Sequence, residues 1–210
     1  MVVCGDSQTE ITRAAAVVRD GGIIAFPTET YYGLGVDPFN ERALATLFAL
    51  KNRSVVKPVL VLIAAAAQLE ILAEEIPVTA RILMKAFWPG PLTIVFAARG
   101  SVPPALTGGT GTVGVRLSPH LIALRLLTAY GSPMTATSAN ISGQPAAETA
   151  EQVYTSFGEH IDVIVDGGRV PGKKGSTLVG VLDDSVQYIR EGRIAYAVIQ
   201  ERLRQCADKS

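Results

Sequence analysis

Apolar positions recur along this chain with two different periods. After Asp6 and Ser7, the residues Ile11, Ala14, Ala15 and Val18 fall at helical spacing and stop at Gly21-Gly22, which predicts a capped helix. The unbroken "IIAF" beyond it predicts a short buried strand. Asn40 precedes a second helical run whose Ala43, Leu44, Leu47 and Phe48 share a face, and "VLVLI" then predicts a strand. Helices are predicted over about residues 65–74 and 77–88, the second opened by Pro77 and stopped by "WPGP", before the strand "LTIVFAA".

A Gly/Thr/Pro-rich loop over residues 100–111 leads into the strand "TVGVRL", and Ser118-Pro119 opens another helix. The strand "MTAT" runs into the polar loop "SANISGQPAAE", with a helix beginning near Thr149. "IDVIVDGG", "STLVGVLD" and "VQYIREG" are strand candidates, followed by a helix from about Tyr196 to Arg204. Strands alternate with helices early and cluster late. The expected class is therefore α/β, a mixed twisted sheet with flanking helices, and not a purely parallel doubly wound sheet.

Composition narrows the field. A chain of 210 residues is long enough for one sizeable core, so a single domain over residues 1–210 is expected. With 48% hydrophobic and 18% charged residues it has the profile of a globular protein rather than a disordered one. Lys plus Arg equals Asp plus Glu at 19 each, so no global field draws it to nucleic acid or an anionic membrane, and any anion binding is local. Cys4 and Cys206 near opposite ends, with His120 and His160, give neither a disulfide framework nor a zinc or haem ligand set, so no metal ligands are assigned. No export signal is visible and no window reaches the roughly 18–20 apolar residues of a membrane span, so a cytoplasmic location is the default expectation.

Four stretches could carry chemistry. "FPTETYYGLG", residues 26–35, reads as the loop leaving the first buried strand, with more hydroxyls and glycines than a linker needs or a core could bury. Lys51, Arg53 and Lys57 crowd the end of the second helix, either as a side-chain phosphate cradle or as a solvated helix end that suits the dipole. Alternation along "TVGVRL" puts Thr112, Gly114 and Arg116 on one face, a floor for an anion or an ordinary exposed strand face. "TATSANISG", residues 135–143, offers hydroxyls and an amide after a strand end, or a turn with Asn140 and Gly143 chosen for backbone geometry.

Two glycine motifs are decoys. Gly109, Gly111 and Gly114 satisfy G-x-G-x-x-G, yet a strand is predicted after them where the dinucleotide motif requires a helix. "GGRVPGK" nearly matches a Walker A loop, but Lys174 stands where Ser or Thr should bind magnesium. No serine or cysteine has a recognisable base, so positioning and charge neutralisation fit better than covalent catalysis.

Taken in order, "PTETYYGLG", "KNR", "FWPGPLT", "TVGVR", "TSANISG" and "GST" resemble the YrdC family of threonylcarbamoyl-AMP synthases over about residues 8–195. The resemblance implies an α/β fold around a large concave cavity, and a reaction joining L-threonine, bicarbonate and ATP into threonylcarbamoyl-adenylate and pyrophosphate, with Mg²⁺ as the expected ion. It also implies partner proteins of a transferase complex that makes t6A in tRNA, with direct tRNA binding a minor role. Carried over, the K-x-R motif falls on Lys51 and Arg53, expected as catalytic, and the S-x-N motif on Ser138 and Asn140; these with Lys57, Thr112 and Arg190 form the expected ATP side. Thr28, Thr30, Arg116, Ala136 and Ser176 form the expected threonine side. Longer members carry a further C-terminal domain, and the chain resembles the short form. Related alternatives are a YciO-like RNA-binding protein without synthase activity and the carbamoyl-adenylating domain of hydrogenase maturation.

Overall fold

The computed structural model describes residues 2–207. Helix α1 (Gln8–Arg19) starts where the Ser7 hydroxyl accepts the Glu10 N–H, and α2 (Glu41–Leu50) starts where the Asn40 side chain accepts the Ala43 N–H. Both caps satisfy donors that a helix start leaves without partners. The later helices are α3 (Val78–Phe87), α4 (Pro104–Thr107), α5 (Leu121–Tyr130), α6 (Ala150–Phe157) and α7 (Tyr196–Ala207). No helix among the described residues is long and apolar enough to cross a membrane.

The strands divide between two mixed sheets rather than forming one. In the first, β1 (Val2–Cys4), β9 (Val163–Val165), β2 (Ile24–Pro27), β3 (Tyr32–Gly35) and β8 (Thr137–Ser138) lie side by side in that order. In the second the order is β11 (Ser185–Arg190), β10 (Thr177–Leu182), β5 (Leu92–Ala97), β6 (Thr112–Arg116), β4 (Val61–Leu62) and β7 (Met134–Thr135). Parallel pairs (β2 with β9, β5 with β10, β4 with β6) sit beside antiparallel ones, so the mixed α/β class holds. Only Ala136 separates β7 from β8, so the chain changes sheets at that residue. There the Ala136 N–H donates to Leu60 O at 2.9 Å and the Ala139 N–H to Tyr32 O at 2.8 Å, stitching the crossing to both sides.

Several local expectations are corrected. Six of the ten residues of "FPTETYYGLG" are strand: Phe26 and Pro27 end β2, and β3 pairs antiparallel with β2 on one side and β8 on the other, leaving only residues 28–31 as the turn between strands. Glycine is a poor strand former, but Gly35 is there because a Cβ would lie 2.6 Å from Met134 Sδ and 2.8 Å from Phe26 Cε1. The helix expected over residues 65–74 is a 3₁₀ segment, Ala66–Ile71. A short helix, α4, also interrupts the loop over residues 100–111.

Two apolar clusters hold these layers. In one, Ile11, Ala14, Ala15 and Val18 of α1 meet Ile122, Ala123, Leu126 and Leu127 of α5, over Ile24, Phe26, Val163 and Val165 of the first sheet. In the other, Ala43, Leu44, Leu47 and Phe48 of α2 pack with Leu34, Val61, Ile94, Phe96, Val113 and Val115. Because Val113 and Val115 point into this cluster, the pleat turns Thr112, Gly114 and Arg116 to the other face, as the alternation predicts.

Candidate active site

That other face is the floor of a cavity of about 630 Å³ between the two sheets. Thr93 and Val95 of β5, Thr112, Gly114 and Arg116 of β6, Leu178 of β10, and Ile189 and Arg190 of β11 line one side. Thr28, Thr30, Tyr31, Tyr32 and Gly33 around the β2–β3 turn, with Ala136, Thr137 and Ser138 at the sheet crossing, line the other. Arg53, Lys174, Ser176 and Glu191 also stand on the wall. Of the twelve residues expected at the site, nine meet here: Thr28, Thr30, Arg53, Thr112, Arg116, Ala136, Ser138, Ser176 and Arg190.

Arg116 is 3% exposed, and its Nη1 donates to Glu29 Oε1 and to Thr30 Oγ1, the latter at 3.3 Å. Its Nε is buried without a partner. Burial lowers its pKa, an effect opposed by the charge of Glu29 and reinforced by Arg190. Thr28 and Thr30 share a hydrogen bond of 3.0 Å between hydroxyls, and Thr93 Oγ1 lies 2.8 Å from Ser176 Oγ across the β5–β10 pair. Arg190 Nη2 donates to Ser176 O at 3.1 Å.

Arg53 donates from Nη2 to Pro58 O at 2.8 Å, while its buried Nε has no partner. A cavity-lining guanidinium with a spare buried donor suits an anionic ligand. Ser138 donates from Oγ to Asn140 Oδ1 at 2.6 Å, and Asn140 Nδ2 donates to Ile141 O and Gln144 O. Asn140 thus holds the loop's shape and lies off the wall, as the turn reading expects, while Ser138 of the same loop stands on the wall.

Lys51 and Lys57 also lie off the wall. Lys57 is exposed. Lys51 is 1% exposed, and its Nζ donates to Ser138 O and, at 2.6 Å, to Asn140 O, while its own carbonyl accepts the Ser142 N–H at 2.9 Å. It fastens the S-x-N loop from beneath. Burial, with a smaller contribution from the charge of Arg53, drives its pKa down from 10.5 to about 7.

Sequence reasoning singled out Tyr31 and Gly33 only as part of "FPTETYYGLG" and did not identify Thr93 or Lys174 as wall residues. Thr93 is the one with a readable signal, a lone hydroxyl two positions from Val95 inside an apolar strand. The glycine decoys resolve as strand approaches: β6 follows Gly111 directly, and β10, not a helix, follows Gly175 and Ser176.

A two-sheet α/β fold encloses a cavity lined by arginines and hydroxyls, the class of α/β protein whose cavity suits anionic small molecules. Comparison with known proteins agrees. The model of the Sua5_yciO_yrdC family, described as "Telomere recombination", matches residues 16–192, and the chain belongs to that family. It is similar to the threonylcarbamoyl-AMP synthase of Pyrococcus abyssi, 41% identical over 192 residues, covering 91% of this chain but 56% of that protein. Against the threonylcarbamoyl-AMP synthase of Vibrio cholerae it is 40% identical over 184 residues, 87% of this chain and 97% of that protein. The crystal structure of P. abyssi Sua5 complexed with L-threonine superimposes with a TM-score of 0.93 at 38% identity, covering 97% of this chain and 61% of that one.

Proposed function

We propose that the chain is a threonylcarbamoyl-AMP synthase, converting L-threonine, bicarbonate and ATP into threonylcarbamoyl-adenylate, pyrophosphate and water. The observation that carries this reading is the convergence of Arg53, Ser138 and Arg190 with Thr30, Arg116 and Ser176 on one cavity. The relatives at about 40% identity support the same activity. So does the threonine complex of the structural relative.

The chemistry suits these groups. The amine of threonine attacks the carbon of bicarbonate, whose hydroxyl leaves as water with a proton from the amine; an oxygen of the resulting carbamate then attacks the α-phosphorus, and pyrophosphate leaves. Negative charge grows on phosphate oxygens, where Arg53 and Arg190 stabilise it, while Arg116, Thr30 and Ser176 hold the amino acid alongside. Lys51 acts from below, setting the loop that carries Ser138.

Mg²⁺ is expected to arrive with the triphosphate. Among the described residues Glu191 is the one carboxylate on the wall, and no cluster of three His, Cys, Asp or Glu side chains could hold an ion. Phosphate oxygens and water then supply most of the ligands, as is usual for this ion. On this reading the adenylate passes to a transferase complex that modifies tRNA, with the cytoplasm as the expected compartment; zero net charge leaves direct tRNA binding a minor role. Incubating the purified chain with ATP, Mg²⁺, threonine and bicarbonate should release pyrophosphate only when threonine is present. Release that ignores threonine, or no release, overturns the proposal.

A further inference from the structure

Glu29 is absent from every set of site residues above, and it is the most heavily engaged acid near the cavity. One carboxylate oxygen takes Arg116 Nη1 and the other takes the Ser118 hydroxyl. The Ser118 oxygen in turn accepts the His120 N–H at 3.2 Å, and the Glu29 main-chain carbonyl accepts Arg193 Nη1 at 2.7 Å. Glu29 is 14% exposed and Arg116 3%, so this is a nearly buried pair whose geometry the surrounding bonds determine.

A guanidinium presents five donors on fixed edges. Those of Arg116 Nη1 go to Glu29 and Thr30, whereas Nε is buried without a partner and Nη2 has no hydrogen-bond partner among the described residues. Nε–H and the adjacent Nη2–H form the side edge of the guanidinium, a two-point fork that matches a carboxylate. Arg116 stands on the cavity wall.

We propose that Glu29 is a positioning residue: by occupying Nη1 it leaves the Nε–Nη2 edge of Arg116 free for the α-carboxylate of the amino acid substrate. This rests on the synthase reading for the identity of the ligand. Glu29 touches no substrate itself. It converts a side chain with several rotamers into a fixed fork, and it offsets the charge of Arg116 so that the wall receives a zwitterion and not a bare anion.

The test is binding of L-threonine and of L-threonine amide, measured by calorimetry on the whole chain, with ATP binding as a control. Glu29→Gln keeps the size of the side chain and removes its charge. It should weaken threonine by about tenfold or more, leave ATP within about threefold, and largely abolish the preference for the acid over the amide. Ser118→Ala, which loosens only one carboxylate oxygen, should give a smaller loss in the same direction and decides the matter if Glu29→Gln does not fold. Unchanged or tighter threonine binding, or equal losses for threonine and ATP, overturns the proposal. Wild-type protein that binds threonine yet releases no pyrophosphate would overturn the synthase reading alone. Wild-type protein that binds no threonine overturns both.

Discussion

Replacing Lys51 by methionine tests the electrostatics beneath the nucleotide side of the cavity. Its ammonium is 1% exposed, bonds only main-chain carbonyls, and has Arg53 as a charged neighbour. With the folded pKa near 7 and the ordinary value at 10.5, both states are neutral above about pH 10.5 and Lys51 contributes nothing to the pH dependence there. As pH falls from 10.5 toward 7 the unfolded chain takes up a proton that the folded chain refuses, so stability drops; below 7 the penalty is full and constant. Between pH 9 and pH 7 the loss is about 2 kcal/mol. Urea unfolding of wild type and Lys51→Met at pH 7, 8 and 9 should therefore show wild type gaining about 2 kcal/mol on the variant as pH rises. Parallel pH profiles would refute the reasoning. Bound triphosphate would supply the missing anion and raise the folded pKa, so ATP binding at pH 8 should take up protons, read by calorimetry in buffers of different ionisation enthalpy.

The remaining expectations concern single contacts. Arg53→Ala should raise the KM for ATP more than that for threonine and Arg116→Ala the reverse, each by roughly tenfold or more; identical losses would mean that the two sides are misassigned. Thr93→Val removes the 2.8 Å partner of Ser176 Oγ while keeping the volume, so threonine KM should rise several-fold, about 1 kcal/mol, with thermal stability nearly unchanged. Gly192→Ala would put a Cβ 2.3 Å from Gly175 O and 2.5 Å from Ser176 O, both backbone atoms that cannot rotate away. A stability loss of about 1–3 kcal/mol and weaker threonine binding are expected, and a neutral result in denaturant melts would contradict the tight approach.

The sequence is most informative where one physical rule acts alone. Ser7, Asn40 and Thr149 cap helices as their side chains dictate, and the alternation along "TVGVRL" places Arg116 on the face opposite Val113 and Val115, which the fold turns to the cavity. It misleads where tertiary approach overrides propensity. Gly33 and Gly35 suggest a loop, yet β3 runs between β2 and β8, and the reason for Gly35 is Met134, about a hundred residues away. The exchange of sheets at Ala136 leaves no local mark, so one sheet is expected where two exist. Lys51 and Asn140 are legible as members of motifs, but only the fold separates them from the wall and reveals them as supports of Ser138. Glu29 is visible in the opening loop, and its partner Arg116 is too far along the chain for spacing to connect them.

The most direct measurement is a crystal structure with L-threonine and a non-hydrolysable ATP analogue bound together. It should place the amino acid carboxylate on Arg116 and the triphosphate beside Arg53, Ser138 and Arg190, with the amine facing the α-phosphate. Either ligand bound outside this recess, or the two in separate sites, would contradict the account.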